Sequence, residues 1–418
     1  MKNFILLFFF LATLVGCQSP SDDFNAELAW REFDEVFKEN YAYYDNTNIE
    51  LSSLFDDYKN KALEATSEQE FISVVTVFMR YFRDPHLNIY PGNKTGYSVT
   101  PTGADIWVTQ QQGKYLIIDI KAGSAAYNSN IQVNSEAISI DGRTPKEAIT
   151  TVFGGEFDRL STKRKVRGLN IALGGIKNKT RKIITRYKGV DSYHQLDATY
   201  DAIKRAYKEP TLVFKTINNL GYIRFNNSLG NNDTVNAFNK AIKELITTDG
   251  LILDLRNIPS GGNTGVAEPI LGHFVQQETP YQLYQRQQPS HFGQKKIPFH
   301  QAKMERATAK PKKPFYDKPF VVLVGRWTGS IGEGMMIGLD ALGAKAIIGA
   351  PTADLLGGIK NITLTQSNAV IDIAYERMFH VNGTYREDFD ATIKMDTADW
   401  GIDQTDPALS KAIKQLSN

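Results

Sequence analysis

Phe320-Val321-Val322-Leu323-Val324-Gly325-Arg326-Trp327-Thr328-Gly329-Ser330-Ile331-Gly332-Glu333-Gly334 reads as a strand, a turn and the opening of a helix. Five consecutive apolar residues, three of them valine, suit a strand covered on both faces. Ser330 then stands where a helix begins, a position at which serine is a favoured N-cap. A serine on such a turn also exposes its hydroxyl and sets the next backbone N–H outwards. The partial positive charge of the helix N-terminus lies beside it, where negative charge on a carbonyl oxygen would be stabilised. Taken alone, these residues leave two readings of Ser330 open, a plain helix cap and a nucleophile.

Upstream, Leu251-Ile252-Leu253-Asp254-Leu255-Arg256 is another buried strand, and Asn257-Ile258-Pro259-Ser260-Gly261-Gly262 a glycine turn behind it. Glycines let the backbone approach a ligand and aim N–H groups at it. In an acyl-transfer enzyme the amides of Gly261 and Ile331 would form an oxyanion hole. Asp254 and Arg256 suit a bracing function for that turn. Leu220-Gly221-Tyr222-Ile223-Arg224-Phe225 is a third strand, and Thr234 to Thr248 a helix. Alternating strands and helices predict a layered α/β domain over 205–418. Within it, Thr279 to Tyr316 is rich in Gln, Lys and Pro and reads as a long surface insertion or lid.

The texture differs nearer the N-terminus. Trp30, Phe33, Val36 and Phe37, then Phe71, Val74, Val75, Phe78 and Phe82, recur at helical spacing. They predict a helical domain over 24–93, with Arg83-Asp84-Pro85-His86 near its end. Over 94–200 short strands follow: Tyr115 to Ile120, Ile131-Gln132-Val133, and Ala137 to Ile140, with a helix from Pro145. The strand, the Ala122-Gly123-Ser124-Ala125-Ala126 turn and Ile140-Asp141-Gly142 resemble a PDZ domain. Asn134 stands where that pattern has glycine, and the carboxylate-binding Gly-Leu-Gly-Phe loop is not evident. Such a fold implies peptide capture by strand addition. The fold class is therefore α/β and multi-domain.

Residues 1–16 carry a basic start and an apolar run from Phe4 to Val15, shorter than the ~20 residues a membrane-spanning helix needs. They read as a signal peptide. Leu14-Val15-Gly16-Cys17 resembles the bacterial lipobox, which implies acylation of Cys17 and attachment to the outer membrane of a cell envelope. Residues 17–23 would be the tether. Cys17 is the one cysteine in the chain, so a large core rather than a disulfide must hold the protein together. Net charge is +2, from 48 basic and 46 acidic residues without a long basic block, which gives no cause to expect a nucleic-acid partner.

The segments Tyr222-Ile223-Arg224-Phe225, Asp-Leu-Arg…Gly-Gly, Thr-Gly-Ser-Ile-Gly-Glu, Ile348-Gly349-Ala350-Pro351-Thr352 and Thr405-Asp406-Pro407-Ala408-Leu409 occur in one order. That order resembles the tail-specific, or C-terminal processing, serine peptidases, across nearly the whole chain. The resemblance implies a Clp protease/crotonase-like catalytic domain, Ser330 as nucleophile, and a peptide or protein substrate. In one branch of that family a lysine serves as base, but its position here is Leu355, and Lys360 and Lys345 do not match. The branch similar to the tricorn core takes its base from an Asp-x-His segment, which implies His86. Asn382-Gly383-Thr384-Tyr385-Arg386-Glu387 resembles the stretch bearing the orienting acid, making Glu387 the candidate; Glu333 suits bracing the Ser330 turn. Pro85 occupies the place of that branch's serine.

No Cys-x-x-Cys, His-Glu-x-x-His or phosphate-loop spacing is present, so neither a metal nor another cofactor is expected. Two rival functions remain at the level of sequence. One is a non-catalytic binder of peptides or lipids on the same fold, as in interphotoreceptor retinoid-binding protein. The other is a crotonase-like acyl-CoA enzyme, which the PDZ-like segment and the lipobox disfavour.

Overall fold

The computed structural model describes residues 24–45, 51–92, 96–206, 208–286, 299–396 and 405–417. The leader, Cys17 and the tether lie outside them. A six-stranded sheet runs in the order Ile393–Lys394, Ala346–Gly349, Phe320–Val324, Leu251–Asp254, Leu220–Phe225, Leu212–Ile217. Its neighbours are parallel except for the outer hairpin of 212–217 with 220–225. Leu253, Val322 and Val324 face the helices Asp233–Leu245, Thr264–Leu271 and Ile331–Ala341. Ile252, Val321, Leu323 and Ile348 pack with Ala408 and Ala412 of the helix Pro407–Ser417. Covering on both faces is why the strands are unbroken apolar runs. The two central strands end side by side, so the glycine turn and the serine turn meet above one edge of the sheet.

A second, antiparallel sheet has the order Asn88–Tyr90, Ala369–Phe379, Thr279–Arg286, Met304–Ala309, with Gly358–Leu364 also on Ala369–Phe379. The segment expected as an insertion thus supplies two paired strands, and only 287–298 within it is not described. Its polar composition hid the pattern: Tyr281, Gln282 and Gln285 are buried, and Gln285 donates to the Ala302 carbonyl at 2.7 Å. Tyr281 also packs close to Gly338 on the Ser330 helix.

Helices Ala26–Asn40, Leu51–Leu63 and Glu68–Met79 share an aromatic core of Trp30, Phe33, Phe37, Phe55, Phe78 and Phe82. That core continues into Leu364, Ala369, Ile371 and Ile373 of the second sheet. The chain leaving the third helix enters strand Asn88–Tyr90, which pairs with residues 370–372. Residues 84–86 are thereby pinned between the helices and the sheet.

The third sheet, Ile106–Gln111, Lys114–Ile120, Glu136–Ile140, Arg181–Tyr187 and Val190–Leu196 in that order, packs on helices Pro145–Phe153 and Thr162–Gly174. Ile131 to Val133 forms no strand, contrary to expectation. It leads into a turn in which Asn134 has φ +68 and donates to the Ile117 carbonyl at 2.7 Å. Asparagine tolerates that left-handed conformation, which accounts for its standing in a glycine position. No helix among the described residues is long and apolar enough to cross a membrane.

Candidate active site

Ser330 precedes helix Ile331–Ala341 with φ +53 and ψ −113. Non-glycine residues avoid such a backbone, at a cost on the order of 1–3 kcal/mol, unless the surroundings hold them there. Here the Ser330 N–H donates to Glu333 Oε2 at 2.7 Å, and Gly334 N–H to the Ser330 carbonyl at 3.0 Å. The Gly329 N–H donates to the Ile258 carbonyl at 3.0 Å, joining the serine turn to the glycine turn.

Glu333 is buried and receives three more donors: the Thr352 hydroxyl at 2.8 Å, Asp354 N–H at 2.9 Å and Leu355 N–H at 3.2 Å. Burial pushes its carboxyl up to about 7, with the Arg386 charge and the donors pulling the other way. The bracing expected of Glu333 is present, and it extends to the loop 352–355.

Gly261 has φ +71, and a Cβ there would lie 2.5 Å from Ser330 Cβ and 3.5 Å from Ile331 N. Only glycine fits this approach. The Gly261 N–H points to the Ile258 carbonyl across a long 3.4 Å, and the Ile331 N–H has no acceptor among the described residues. Of the two expected oxyanion donors, Ile331 is therefore free and Gly261 is held by a weak turn bond.

His86 is drawn in by two neighbours. Its Nδ1 lies 2.7 Å from the Leu356 carbonyl oxygen. A carbonyl only accepts, so Nδ1 carries the hydrogen and Nε2 presents its lone pair. The His86 N–H donates to Asp84 Oδ1 at 2.9 Å, closing an Asx turn over Pro85. Asp84 Oδ1 also accepts the Leu356 N–H at 3.2 Å and lies 3.8 Å from the ring. Burial lowers the His86 pKa to about 4; the Leu356 carbonyl opposes this and the Arg386 charge adds to it. Burial raises Asp84 to about 7 against the pull of the two amides and the Arg167 charge.

Glu387 makes no hydrogen bond to His86. Its neighbour Arg386 takes the inward path, with the guanidinium donating to the carbonyls of Leu355 and, at 2.9 Å, Gly357. Glu387 Oε2 is buried without a partner, and burial raises its pKa. The carboxylate beside the imidazole is Asp84, which sequence reading left without a function although its spacing to His86 is that of an Asx turn. Lys360 is bound to Asn40 Oδ1 at 2.7 Å and Lys345 to the Gln415 carbonyl at 2.6 Å, on other parts of the molecule.

The Ser330 hydroxyl and the His86 ring share no hydrogen bond here. They are tied instead to successive residues of one loop: Leu355 through Glu333 to Ser330, and Leu356 directly to His86. Among the described residues no cluster of His, Cys, Asp and Glu could hold a metal ion. The arrangement offers a hydroxyl on a strained turn, a free helix amide and a neutral imidazole, the parts that acyl transfer requires.

Residues 219–396 match the family model described as peptidase family S41. No curated protein matches the chain. Among solved structures, mature CPAF complexed with lactacystin is 13% identical, with a TM-score of 0.61, covering 94% of this chain and 97% of that one. The photosystem II D1 C-terminal processing protease is 16% identical, with a TM-score of 0.55, covering 88% of this chain and 93% of that one. At such identities the likeness concerns the fold.

Proposed function

We propose, from the premise that residues 219–396 are a domain of peptidase family S41 and the chain a serine-type peptidase, that Ser330 and His86 carry the reaction. Ser330 Oγ attacks the scissile carbonyl carbon and its proton passes to His86 Nε2. The carbonyl oxygen, now negative, is met by the Ile331 N–H and by the Gly261 N–H released from its long turn bond. Collapse expels the amine, which takes the proton from His86, and water repeats the sequence to free the acid. Catalytic hydrogen bonds are often open without substrate and close in the complex. The 355–356 loop is tied to the His86 ring and, through Glu333, to the Ser330 backbone, so a shift of that loop would move the two groups relative to each other. The single observation carrying this reading is the strained backbone of Ser330 beside a free helix amide. Asp84 acts through the loop and the imidazole rather than on substrate.

The substrates in this reading are exported proteins or peptides. The chain is held at the outer membrane of a bacterial envelope through an acylated Cys17, and the helical, PDZ-like and catalytic parts divide near 93 and 200. A fluorophosphonate probe tests the chemistry. Wild-type protein becomes labelled, Ser330→Ala does not, and His86→Ala labels at least roughly 10²-fold more slowly. Unlabelled, fully folded wild-type protein would instead indicate a binder on a peptidase fold.

A further inference from the structure

Three arginines meet where helix Glu68–Met79 ends, helix Pro145–Phe153 ends and helix Thr162–Gly174 begins. Arg80 closes the first of these and reaches across to the second, donating to the Val152 carbonyl at 2.6 Å. Arg164 and Arg167, three positions apart and so on one face of the third, reach back to the segment after Arg80. Arg164 Nε donates to the Tyr81 carbonyl at 3.4 Å, and an Arg167 N–H to the Asp84 carbonyl across a long 3.5 Å. All three guanidiniums are thereby tied to residues 80–84. Arg80 lies over the Tyr97 ring at 5.3 Å and Arg164 over the Tyr81 ring at 5.5 Å. A ring face orients a guanidinium plane and leaves its N–H edge to other partners.

The charge gathered here is not answered by acids. Each of the three arginines commits one N–H to a carbonyl, and none forms an ion pair with a carboxylate among the described residues. Asp84 attracts Arg167 without bonding to it: its Oδ1 takes the His86 and Leu356 amides, and its Oδ2 has no hydrogen-bond partner. Residues 93–95, shortly before Tyr97, are Asn, Lys and Thr and add no acid. The sequence also runs against ordinary helix chemistry. Lys163, Arg164, Lys165 and Arg167 crowd the start of Thr162–Gly174, a helix without a single acidic residue. A helix N-terminus is already positive and favours carboxylates, so cations stand there at a cost. Burial lowers the Arg167 guanidinium to about 10; Asp84 and Tyr41 pull against this, while Arg80 and Arg164 reinforce it. Departures of this kind from local preference mark functional sites.

We propose that this cluster binds a phosphate group, with Arg80, Arg164 and Arg167 as its ligands. Guanidinium forks suit phosphate oxygens, and forks arriving from two helices suit a tetrahedral group better than a planar one. The accumulated positive charge favours a dianion over a lone carboxylate. The phosphate is carried by a small soluble molecule or by a phospholipid headgroup, which share this chemistry. Ser330 takes no part in the site, which stands without the peptidase reading. Its link to the Asp84 carbonyl places the occupant next to the segment that carries His86.

The test uses the full chain with Cys17→Ala, so that no acyl group reports on membranes, at an ionic strength held constant with chloride. Inorganic phosphate, titrated calorimetrically near neutral pH, binds saturably, and Arg80→Gln or Arg164→Gln weakens it roughly tenfold or more. Arg164→Lys, which keeps the charge but not the fork, weakens it less. Both positions are half-buried, and circular dichroism with the thermal midpoint verifies that each variant is folded. Sedimentation with phosphatidylglycerol vesicles, against phosphatidylcholine, separates the two sources. Capture by the former that depends on the arginines identifies a headgroup; phosphate binding without such capture identifies a soluble phosphate. Binding of neither, or binding undiminished in folded Arg80→Gln and Arg164→Gln, overturns the proposal.

Discussion

The ring of His86 is fastened to Leu356, Nδ1 to carbonyl oxygen at 2.7 Å, although 270 positions separate the two along the chain. The preceding residue, Leu355, gives its N–H to Glu333, which in turn holds the Ser330 N–H. One loop therefore sets the position of both proposed reacting groups. Arg386 secures it from the far side through the carbonyls of Leu355 and Gly357.

The pH dependence of kcat/KM follows from the burial of His86 and of Glu333. A base must be neutral, and a ring with a pKa of about 4 is neutral throughout the range from 8 to 5. His86 itself puts no limb in that range. The limb expected there belongs to Glu333, raised to about 7, whose four accepted bonds need the carboxylate. Activity therefore falls as pH drops through about 7 and again on approach to pH 4. A limb near the ordinary histidine value of ~6.5 that survives in Glu333→Gln would show that the ring is solvated. Folding responds in the same direction. Below ~6.5 the unfolded ring gains a proton that the folded ring refuses, so this contribution to stability is lost as pH falls towards 4. The difference between wild type and His86→Gln in denaturant titrations isolates it.

Glu333→Gln retains shape but turns an NH₂ group towards two donors. Each buried donor left unmet costs about 1–3 kcal/mol, so the denaturation midpoint should drop clearly. Because Ser330 loses support for its backbone angles, kcat should fall as well, more than KM changes. An unaltered midpoint and full activity would remove Glu333 from the bracing of the turn.

Asp84 separates position from charge. In Asp84→Asn the Oδ1 atom can still accept both the His86 and Leu356 amides, whereas Asp84→Ala leaves them unmet. The asparagine variant should keep most of the activity and a similar pH profile, with the alanine variant down by roughly 10². Equal losses in the two would mean that the negative charge matters. Glu387→Gln should act mildly, since Glu387 makes no bond to the imidazole.

Gly261→Ala places a methyl group against Ser330 Cβ, at a φ of +71. The left-handed conformation alone costs about 1–2 kcal/mol. The heavier effect falls on turnover, by roughly 10²-fold or more if the neighbouring amides bind the oxyanion. Probe labelling and thermal unfolding on the same sample distinguish the two losses.

What the sequence disclosed depended on whether local pattern and tertiary demand agreed. Apolar runs such as Leu251–Leu255 and Phe320–Val324 are legible because parallel strands covered on both faces need unbroken hydrophobicity. Ser330, Gly261 and Glu333 were legible because turn chemistry is local. The strand Thr279–Arg286 was not, since its buried positions include Gln282 and Gln285, and the Gln285 amide finds the Ala302 carbonyl only in the folded sheet. The place of Asp84 beside the imidazole is not legible locally, because one of the two amides that hold its carboxylate belongs to Leu356, 272 positions away.

The long span between His86 and Leu356 also bears on how the protein comes into being. The helical bundle can collapse while the rest of the chain is still being made, but its imidazole then has no carbonyl to hold its tautomer and no serine to serve. On the proposed mechanism, the serine and its base can therefore be brought together only once the final third of the polypeptide has been synthesised and packed.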